Sequence, residues 1–160
     1  MIRSKNFKFL DELIDNDSDE ITLNCDIILD SSEEKKYFEG IELDVDNIVI
    51  DGNNHIIDAK GKTRIFSVSG KNITLKNIVF KNGHINNDYP TGGGAIYNNG
   101  EATIINSRFS DNHAEHDGGA IFNESIMKII NTKFSNNIST GNFVNGGAVH
   151  NSFGDIEITD

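Results

Sequence analysis

The chain has 160 residues, a formal net charge of −11 and a sequence pI of about 4.7. This length suits a single domain. An acidic chain repels nucleic-acid phosphates and anionic lipids, so we expect no nucleic-acid partner. No stretch of about 18 apolar residues occurs, which predicts no membrane insertion by this segment. The single cysteine, Cys25, lies in an apolar alternation and is expected to be a buried small hydrophobe rather than a nucleophile.

Residues 1–40 are predicted to form an N-terminal cap made of a helix and a first strand. Four apolar residues of segment 6–15 fall on one helical face: Phe7, Leu10, Leu13 and Ile14. A solenoid needs such a cap because its first coil would otherwise expose core and strand edges. Next, Ile21–Ile27 alternates like a strand and Ser31–Lys36 is typical of a polar loop. The first ten residues lack the apolar run of a signal peptide, so we expect no export signal here.

A Gly-Gly-Ala-aliphatic motif occurs three times in the second half of the chain, at a nearly constant spacing. Its residues are Gly93, Gly94, Ala95 and Ile96, then Gly118, Gly119, Ala120 and Ile121, and finally Gly146, Gly147, Ala148 and Val149. Glycine pairs at a regular period supply positive φ angles or close backbone approach at a repeated corner. Self-similarity at such a period predicts a repeat architecture.

A second motif, Phe-x-x-Asn, follows a short aliphatic strand inside each unit. It is formed by Phe109 with Asn112 and by Phe134 with Asn137. Weaker copies extend the period back to about residue 41, so residues 41–160 are predicted to be repeats. We expect three ladders of equivalent side chains: Leu75, Ile104 and Ile129 facing inward, Phe80, Phe109 and Phe134 as stacked rings, and Asn77, Asn106 and Asn131 in turns.

The repeat unit predicts an all-β, right-handed parallel β-helix with coils of about 25 residues. Its apolar runs are too short for helices, and a strand of that length cannot bury its face unless coils stack at about 4.8 Å. An antiparallel sandwich is the alternative, supported by the hairpin-type dipeptide Asn99-Gly100. A sandwich does not predict matching residues at a fixed period, so we place it second.

The last coil is expected to be incomplete. Residues 154–160 match the unit at its central strand and stop before the expected Phe turn. Such an open coil has unpaired strand edges. We therefore expect it to fray, to self-associate or to continue in a longer chain.

The pairing of Gly-Gly-Ala-Ile with Phe-x-x-Asn over residues 93–160 resembles the repeat of polymorphic outer-membrane and adhesin-like proteins. The segment Ile50–Asp58 is similar to the opening coils of adhesin-like proteins of methanogenic archaea. The resemblance implies a β-helix that is extracellular or displayed on the cell surface and takes part in attachment.

Parallel β-helices also include carbohydrate-active enzymes such as pectate lyases and polygalacturonases, but fold alone is weak evidence for activity. Such sites need clustered acids with a basic partner. Asp51 and Asp58 could lie near Lys76, and Arg64 and Arg108 are the other basic candidates. Acids in solenoid turns are usually solvated, so the sequence predicts no catalytic residue.

Two further side-chain groups have a functional and a structural interpretation. The run from His113 through His116 to Asp117 could ligate a metal, but it lies in a loop of variable length where polar variety is expected. We therefore predict no metal and no cofactor. Tyr97, Phe122 and His150 share one repeat position and form either a sugar-stacking strip or part of the core, and we favour the core.

The sequence thus predicts a non-catalytic adhesin-like β-helix that binds a glycan or a surface protein. The alternatives are a carbohydrate-active enzyme and a structural stalk. The long loops Ile85–Gly92 and Ser139–Asn145 are the expected contact regions, because loops carry specificity on a rigid scaffold.

Overall fold

Parallel strands dominate the computed structural model, which describes residues 3–16, 18–86, 88 and 91–160. Within these residues each pairing between named strands is parallel. The predicted parallel β-helix is therefore confirmed. The antiparallel sandwich is wrong, and Asn99-Gly100 forms a corner between two sheets rather than a hairpin.

Four sheets run along the solenoid axis, and strand numbers follow the chain. The first sheet contains β1 (Glu20–Thr22), β4 (Val49–Asp51), β7 (Ile73–Lys76), β11 (Glu101–Ile105), β15 (Ile126–Ile130) and β19 (Asp155–Thr159). The second contains β2 (Ile27–Ile28), β5 (Ile56–Asp58), β8 (Val79–Lys81), β12 (Arg108–Ser110) and β16 (Lys133–Ser135). The third contains β3 (Ile41–Leu43), β6 (Phe66–Val68), β10 (Ile96–Asn98), β14 (Ile121–Asn123) and β18 (Val149–Asn151). The fourth contains β9 (His84–Ile85), β13 (His113–Ala114) and β17 (Ile138–Ser139).

Coil length varies because the connections between sheets vary. Asn123 bonds its equivalents in both neighbouring coils, Asn98 on one side and Asn151 on the other, and the two intervals differ in length. The shorter interval, from Asn98 to Asn123, agrees with the predicted period. The predicted period is thus the length of a coil without an insertion. Longer coils carry their additional residues in the connections that lead into the third sheet.

The inward ladders follow the sequence prediction. Leu75, Ile104 and Ile129 are buried and in register. The ring of Phe109 stacks on Phe80 at 4.4 Å and on Phe134 at 5.0 Å between ring centroids. Both predicted ladders are confirmed, and they bury apolar surface continuously along the axis.

Asparagines fill two different roles in the coil. Asn77, Asn106 and Asn131 adopt φ angles of 54°, 49° and 45°, which confirms the predicted left-handed turns. A second ladder of asparagines, which the sequence analysis did not predict, is buried in the third sheet. Asn98 Nδ2 donates to Asn123 Oδ1 at 2.6 Å, so each amide meets an identical amide from the next coil. This pairing satisfies polar groups that burial would otherwise penalise.

The N-terminal end is covered by helix α1 (Phe7–Asp15), whose buried face includes Phe7, Leu10 and Ile14. The predicted capping helix is therefore present. Glu33 lies in a short 3-10 helix (Ser31–Glu33) within the predicted polar loop, yet it is buried. Its carboxylate accepts hydrogen bonds from the backbone N–H groups of Phe7 and Lys8, which satisfies donors at the start of α1. Among the described residues, no helix is long and apolar enough to cross a membrane.

The solenoid itself begins at Glu20, since β1 and β2 pair with β4 and β5 of the next coil. The alternation of Ile21–Ile27 predicted a single strand, but the structure divides this segment between β1 and β2. The chain turns a coil corner between β1 and β2, while Leu23 and Cys25 stay buried. The inward alternation therefore persists through a corner, and the sequence pattern alone does not distinguish the two arrangements.

The repeated glycine pairs sit where each coil enters the third sheet. The first glycine of each pair, Gly93, Gly118 or Gly146, has a φ of 77°, 64° or 65°. In the first two pairs the second glycine lies against the backbone of adjacent coils: a Cβ on Gly119 would come within 2.6 Å of backbone atoms of Ile138. A side chain at that position therefore forces neighbouring coils apart.

Replacing Gly119 with alanine should lower the free energy of unfolding by about 1–3 kcal/mol, because the new methyl group overpacks against backbone that cannot rotate away. Gly147→Ala is the matched control, since a Cβ there meets nothing within 4 Å. Urea denaturation of both variants measures the difference. Equal stability of the two variants would contradict the close-approach role of Gly119.

Candidate functional site

Both predicted contact loops project from the same corner of the solenoid, between the fourth and third sheets. We call the described parts of segments 86–95, 115–120 and 140–148 the loop corner. Asn87, Tyr89 and Pro90 of the first loop lie outside the described residues. The three segments come from successive coils and are joined by backbone hydrogen bonds such as Gly93 N–H to the Gly118 carbonyl (2.8 Å).

A buried arginine holds the first loop against the sheet. Arg64 is 1% exposed, and its Nε and Nη2 donate to the carbonyls of Gly93 and Gly92, each at 2.9 Å. Its guanidinium also lies 5.3 Å from the ring centre of Tyr97. A planar group with several donors suits this task, because it can bind several carbonyls at fixed angles.

The short middle loop contacts the coils on both sides of it. Glu115 Oε1 lies 3.7 Å from His84 Nε2 of the preceding coil. Asp117 Oδ2 lies 3.8 Å from His150 Nε2 of the following coil, and its other oxygen accepts the backbone N–H of Asn145. Two acids on one short loop therefore connect three coils through the loop corner.

Two histidines from adjacent coils meet at the edge of this corner. The rings of His84 and His113 lie 4.9 Å apart at 66°, and His113 Nε2 lies 2.6 Å from Thr140 Oγ1. Burial, His113 and Lys62 lower the pKa of His84 against the opposing effect of Glu115. His84 therefore favours the neutral imidazole.

The third loop displays an unusual aromatic residue. Phe143 is 99% exposed and has a φ of 63°, a left-handed conformation that a bulky residue seldom adopts. The loop around it is nevertheless held in place. Thr140 N–H donates to the Ala114 carbonyl at 2.9 Å, and Ser139 Oγ donates to the Gly146 carbonyl at 3.0 Å. The structure thus holds an apolar ring in water on a supported loop.

Tyr97, Phe122 and His150 lie on the outer face of the third sheet, so the favoured assignment to the core was wrong for Tyr97 and His150, whereas Phe122 is buried. Their neighbours along the strands, such as Ile96 and Ile121, point into the core. The ring of Phe122 stacks on that of His150 at 5.1 Å and is tilted by 34° against that of Tyr97 at 6.1 Å, so Phe122 is only 5% exposed between its neighbours. Phe122 therefore offers ring edges rather than free faces to a ligand.

Tyr97 is held further by a hydrogen bond. Its hydroxyl donates to Glu124 Oε2 at 2.6 Å. Burial and this carboxylate raise the pKa of Tyr97 to about 12. The phenol therefore stays protonated at neutral pH and acts as a fixed donor on the outer face.

A groove of about 860 Å³ adjoins the outer face of the third sheet near the N-terminal end. Its lining includes Glu39, Glu42 and Lys62, so it carries charges of both signs. Glu42 pairs in register with Ser67, which pairs with Tyr97, so the groove lies in line with the aromatic strip. The groove therefore extends the polar surface of this face.

The acids considered for catalysis serve turns in this structure. Burial alone would raise the pKa of Asp51, but hydrogen bonds from Asn77 and Asn53 and the charge of Lys76 outweigh it and lower that pKa. Lys76 Nζ lies 3.5 Å from Asp51, whereas Asp58 accepts the backbone N–H of Lys60 at 2.8 Å. Asp51 and Asp58 thus cap separate turns rather than share a site.

The residues from His113 to Asp117, considered above as metal ligands, do not share one set of contacts. His113 contacts His84 and Thr140, whereas Asp117 contacts His150. Within the described ranges, no group of three or more histidine, cysteine, aspartate or glutamate residues could hold a metal ion.

The sequence analysis named Arg64 only as a basic candidate for catalysis and included Phe143 only as part of the contact loop Ser139–Asn145. Arg64 offered no signal beyond being one of few arginines, because its partners are main-chain carbonyls of the next coil. A signal existed for Phe143, which is a single large apolar residue in a loop of glycine and asparagine.

Replacing Arg64 with methionine should lower the free energy of unfolding by on the order of 2–3 kcal/mol, because buried carbonyls lose charged donors. Hydrogen exchange should also accelerate at residues 91–94, while the β11 amides remain protected. Arg108→Met is the control, since Arg108 is exposed. Unchanged exchange at residues 91–94 would show that Arg64 does not hold the loop.

Residues 5–116 match the family described as "Putative pectate lyase-like adhesive domain". No curated protein and no solved structure matches the chain. The family match covers well over half of the chain and includes helix α1, the first coils and the first segment of the loop corner, and it ends at residue 116. The chain therefore belongs to the pectate lyase-like adhesive domain family.

Proposed function

We propose that this chain is a non-catalytic adhesive domain that binds an extracellular glycan or protein through the loop corner. The family supports the adhesive role. The observation that carries the proposal is Phe143, whose side chain is almost wholly in water on a loop held by hydrogen bonds.

The conformation of Phe143 has no evident structural benefit. Exposing a Phe ring forgoes the stabilisation of burial, and a left-handed φ costs a bulky residue on the order of 1 kcal/mol or more. Both features are typical of a residue kept for contact with a partner. An aromatic ring can stack on a sugar or fill a pocket of a protein.

The surroundings of Phe143 suit specific recognition. Asn142 and Asn145 are exposed and offer amide donors and acceptors, while Glu115 and Asp117 add negative charge nearby. The parallel sheets beneath supply a rigid support, so little ordering entropy is lost on binding. These features favour binding over a purely structural stalk.

A cell-surface or secreted location is part of the same proposal. It is supported by the adhesive family and by the resemblance of the Gly-Gly-Ala-Ile and Phe-x-x-Asn repeats to those of polymorphic outer-membrane and adhesin-like proteins. The finer assignment to that repeat family stays a hypothesis. Self-association through the last coil likewise stays a prediction.

Phe143→Asn should weaken binding about tenfold or more in a glycan array or a host-cell binding assay, because it removes the exposed ring. Asparagine tolerates the left-handed conformation, so the variant should fold as well as the parent. Phe153→Asn is the matched control, since Phe153 is 91% exposed but follows β18 at a different corner.

Equal binding by the parent and Phe143→Asn would remove the loop corner from the proposal. Loss of binding in Phe153→Asn alone would move the contact to the corner between the third and first sheets. A parent chain that binds no glycan, protein or cell would favour the stalk.

The purified chain should leave polygalacturonate intact, because Asp51 is held by turn hydrogen bonds and a lysine rather than poised for proton transfer. The measurement is release of unsaturated products and of reducing ends, with an active pectate lyase as positive control. Turnover that disappears in Asp51→Asn would establish the enzyme instead.

A further inference from the structure

His84 and His113 form a pair that the adhesive proposal does not use. They are register partners on strands β9 and β13 of the fourth sheet. The next residue on each strand, Ile85 or Ala114, is fully buried. Side chains alternate along a strand, so both imidazoles project from the outer face, where solutes can reach them.

The spacing of the two rings suits a shared metal ion. Their centroids lie 4.9 Å apart. A zinc ion bound by two imidazole nitrogens at about 2.0–2.1 Å places the ring centres roughly 5 Å apart at a tetrahedral angle. The separation of the two rings therefore matches a shared ion, and the rings, whose planes are inclined by 66°, must turn to direct one nitrogen each at it.

Each ring also has a neighbour placed at its Nε2 atom. His113 Nε2 lies 2.6 Å from the hydroxyl of Thr140, and His84 Nε2 lies 3.7 Å from Glu115 Oε1. Histidines that bind metals commonly donate their second N–H to a carboxylate or another oxygen, which fixes the tautomer and the ring orientation. Thr140 thus hydrogen-bonds Nε2 of His113, while Glu115 attracts Nε2 of His84 by charge from beyond hydrogen-bond distance, so Nδ1 of each ring is the nitrogen left for an ion.

The charges near the pair allow a cation. Neutral imidazole is the form that binds metals. Glu115 adds a negative charge beside the pair, whereas Lys62 opposes it from the preceding coil. The formal net charge of −11 attracts cations to the chain as a whole.

We infer that His84 and His113 together bind one divalent transition-metal ion of the zinc class, with water molecules as the remaining ligands. The described residues supply no cluster of three or more metal-binding side chains, so two histidines and water define the site. In this proposal the partner of His113 is His84 of the preceding coil, not His116 of its own loop.

The test is isothermal titration of zinc chloride into the purified full chain, prepared without a polyhistidine tag. We expect one ion per chain and at least about tenfold weaker binding in His84→Asn and in His113→Asn. His55→Asn should bind as the parent does, because His55 contacts Asp26 beside the second sheet. Thermal unfolding of each variant verifies that it folds.

Two readouts distinguish the pair from scattered carboxylates. The electron paramagnetic resonance spectrum of the Cu²⁺-loaded parent should show coupling to two nitrogens, falling to one in either histidine variant. Thr140→Val should weaken zinc binding by about tenfold, and Thr140→Ser should restore it, because only serine keeps the hydroxyl.

The inference is overturned if the parent binds no zinc at millimolar concentration, or if both histidine variants bind as tightly as the parent. A copper spectrum without nitrogen coupling also overturns it, and this measurement needs no variant. Glycan or cell binding by the metal-free chain is independent of these results, so the adhesive proposal can succeed or fail separately.

Discussion

The whole structure depends on stacking each coil on the last at the spacing of parallel strands, about 4.8 Å. Every residue inside a sheet therefore lies beside its equivalent from the next coil. Side chains must tolerate a near-copy of themselves at that distance. Rings that stack, such as Phe80 on Phe109, and amides that pair, such as Asn98 with Asn123, meet this requirement. Like charges do not, which is consistent with a core ladder of aliphatic, Phe and Asn side chains.

The same constraint confines variation to the corners. A coil can gain residues only where the chain leaves one sheet before it enters the next, since an insertion within a strand would break the register on both sides. The coils containing residues 86–95 and 140–148 are longer for this reason. Glycines such as Gly119 then bring the chain back against its neighbours. The loop corner is thus the place where this fold can acquire a specific surface without loss of stacking.

Much of the fold could be predicted from the sequence, because residues that stack in adjacent coils are similar residues separated by one repeat period in the sequence. The Leu75 and Phe80 ladders and the left-handed Asn77 turn all follow from that period. The contacts of Arg64 and Glu33 do not, because they bind main-chain groups that leave no residue-specific pattern. The sequence also did not show whether Tyr97 points inward or outward, because an aromatic ladder gives the same sequence pattern in a core and on an outer face.

The aromatic ladder of the third sheet and the exposed ring of Phe143 differ in what they can offer a ligand. Along the third sheet, Phe122 lies between Tyr97 and His150, so its ring faces are already covered by neighbouring coils. A ligand that needs a flat apolar face cannot take it from within such a ladder without separating the coils. Phe143 stands outside the stack, and its ring faces water while its loop is hydrogen-bonded to the coil beneath. Periodic stacking supplies the stability of this solenoid, and the part of the chain that departs from the period is therefore the part available for recognition.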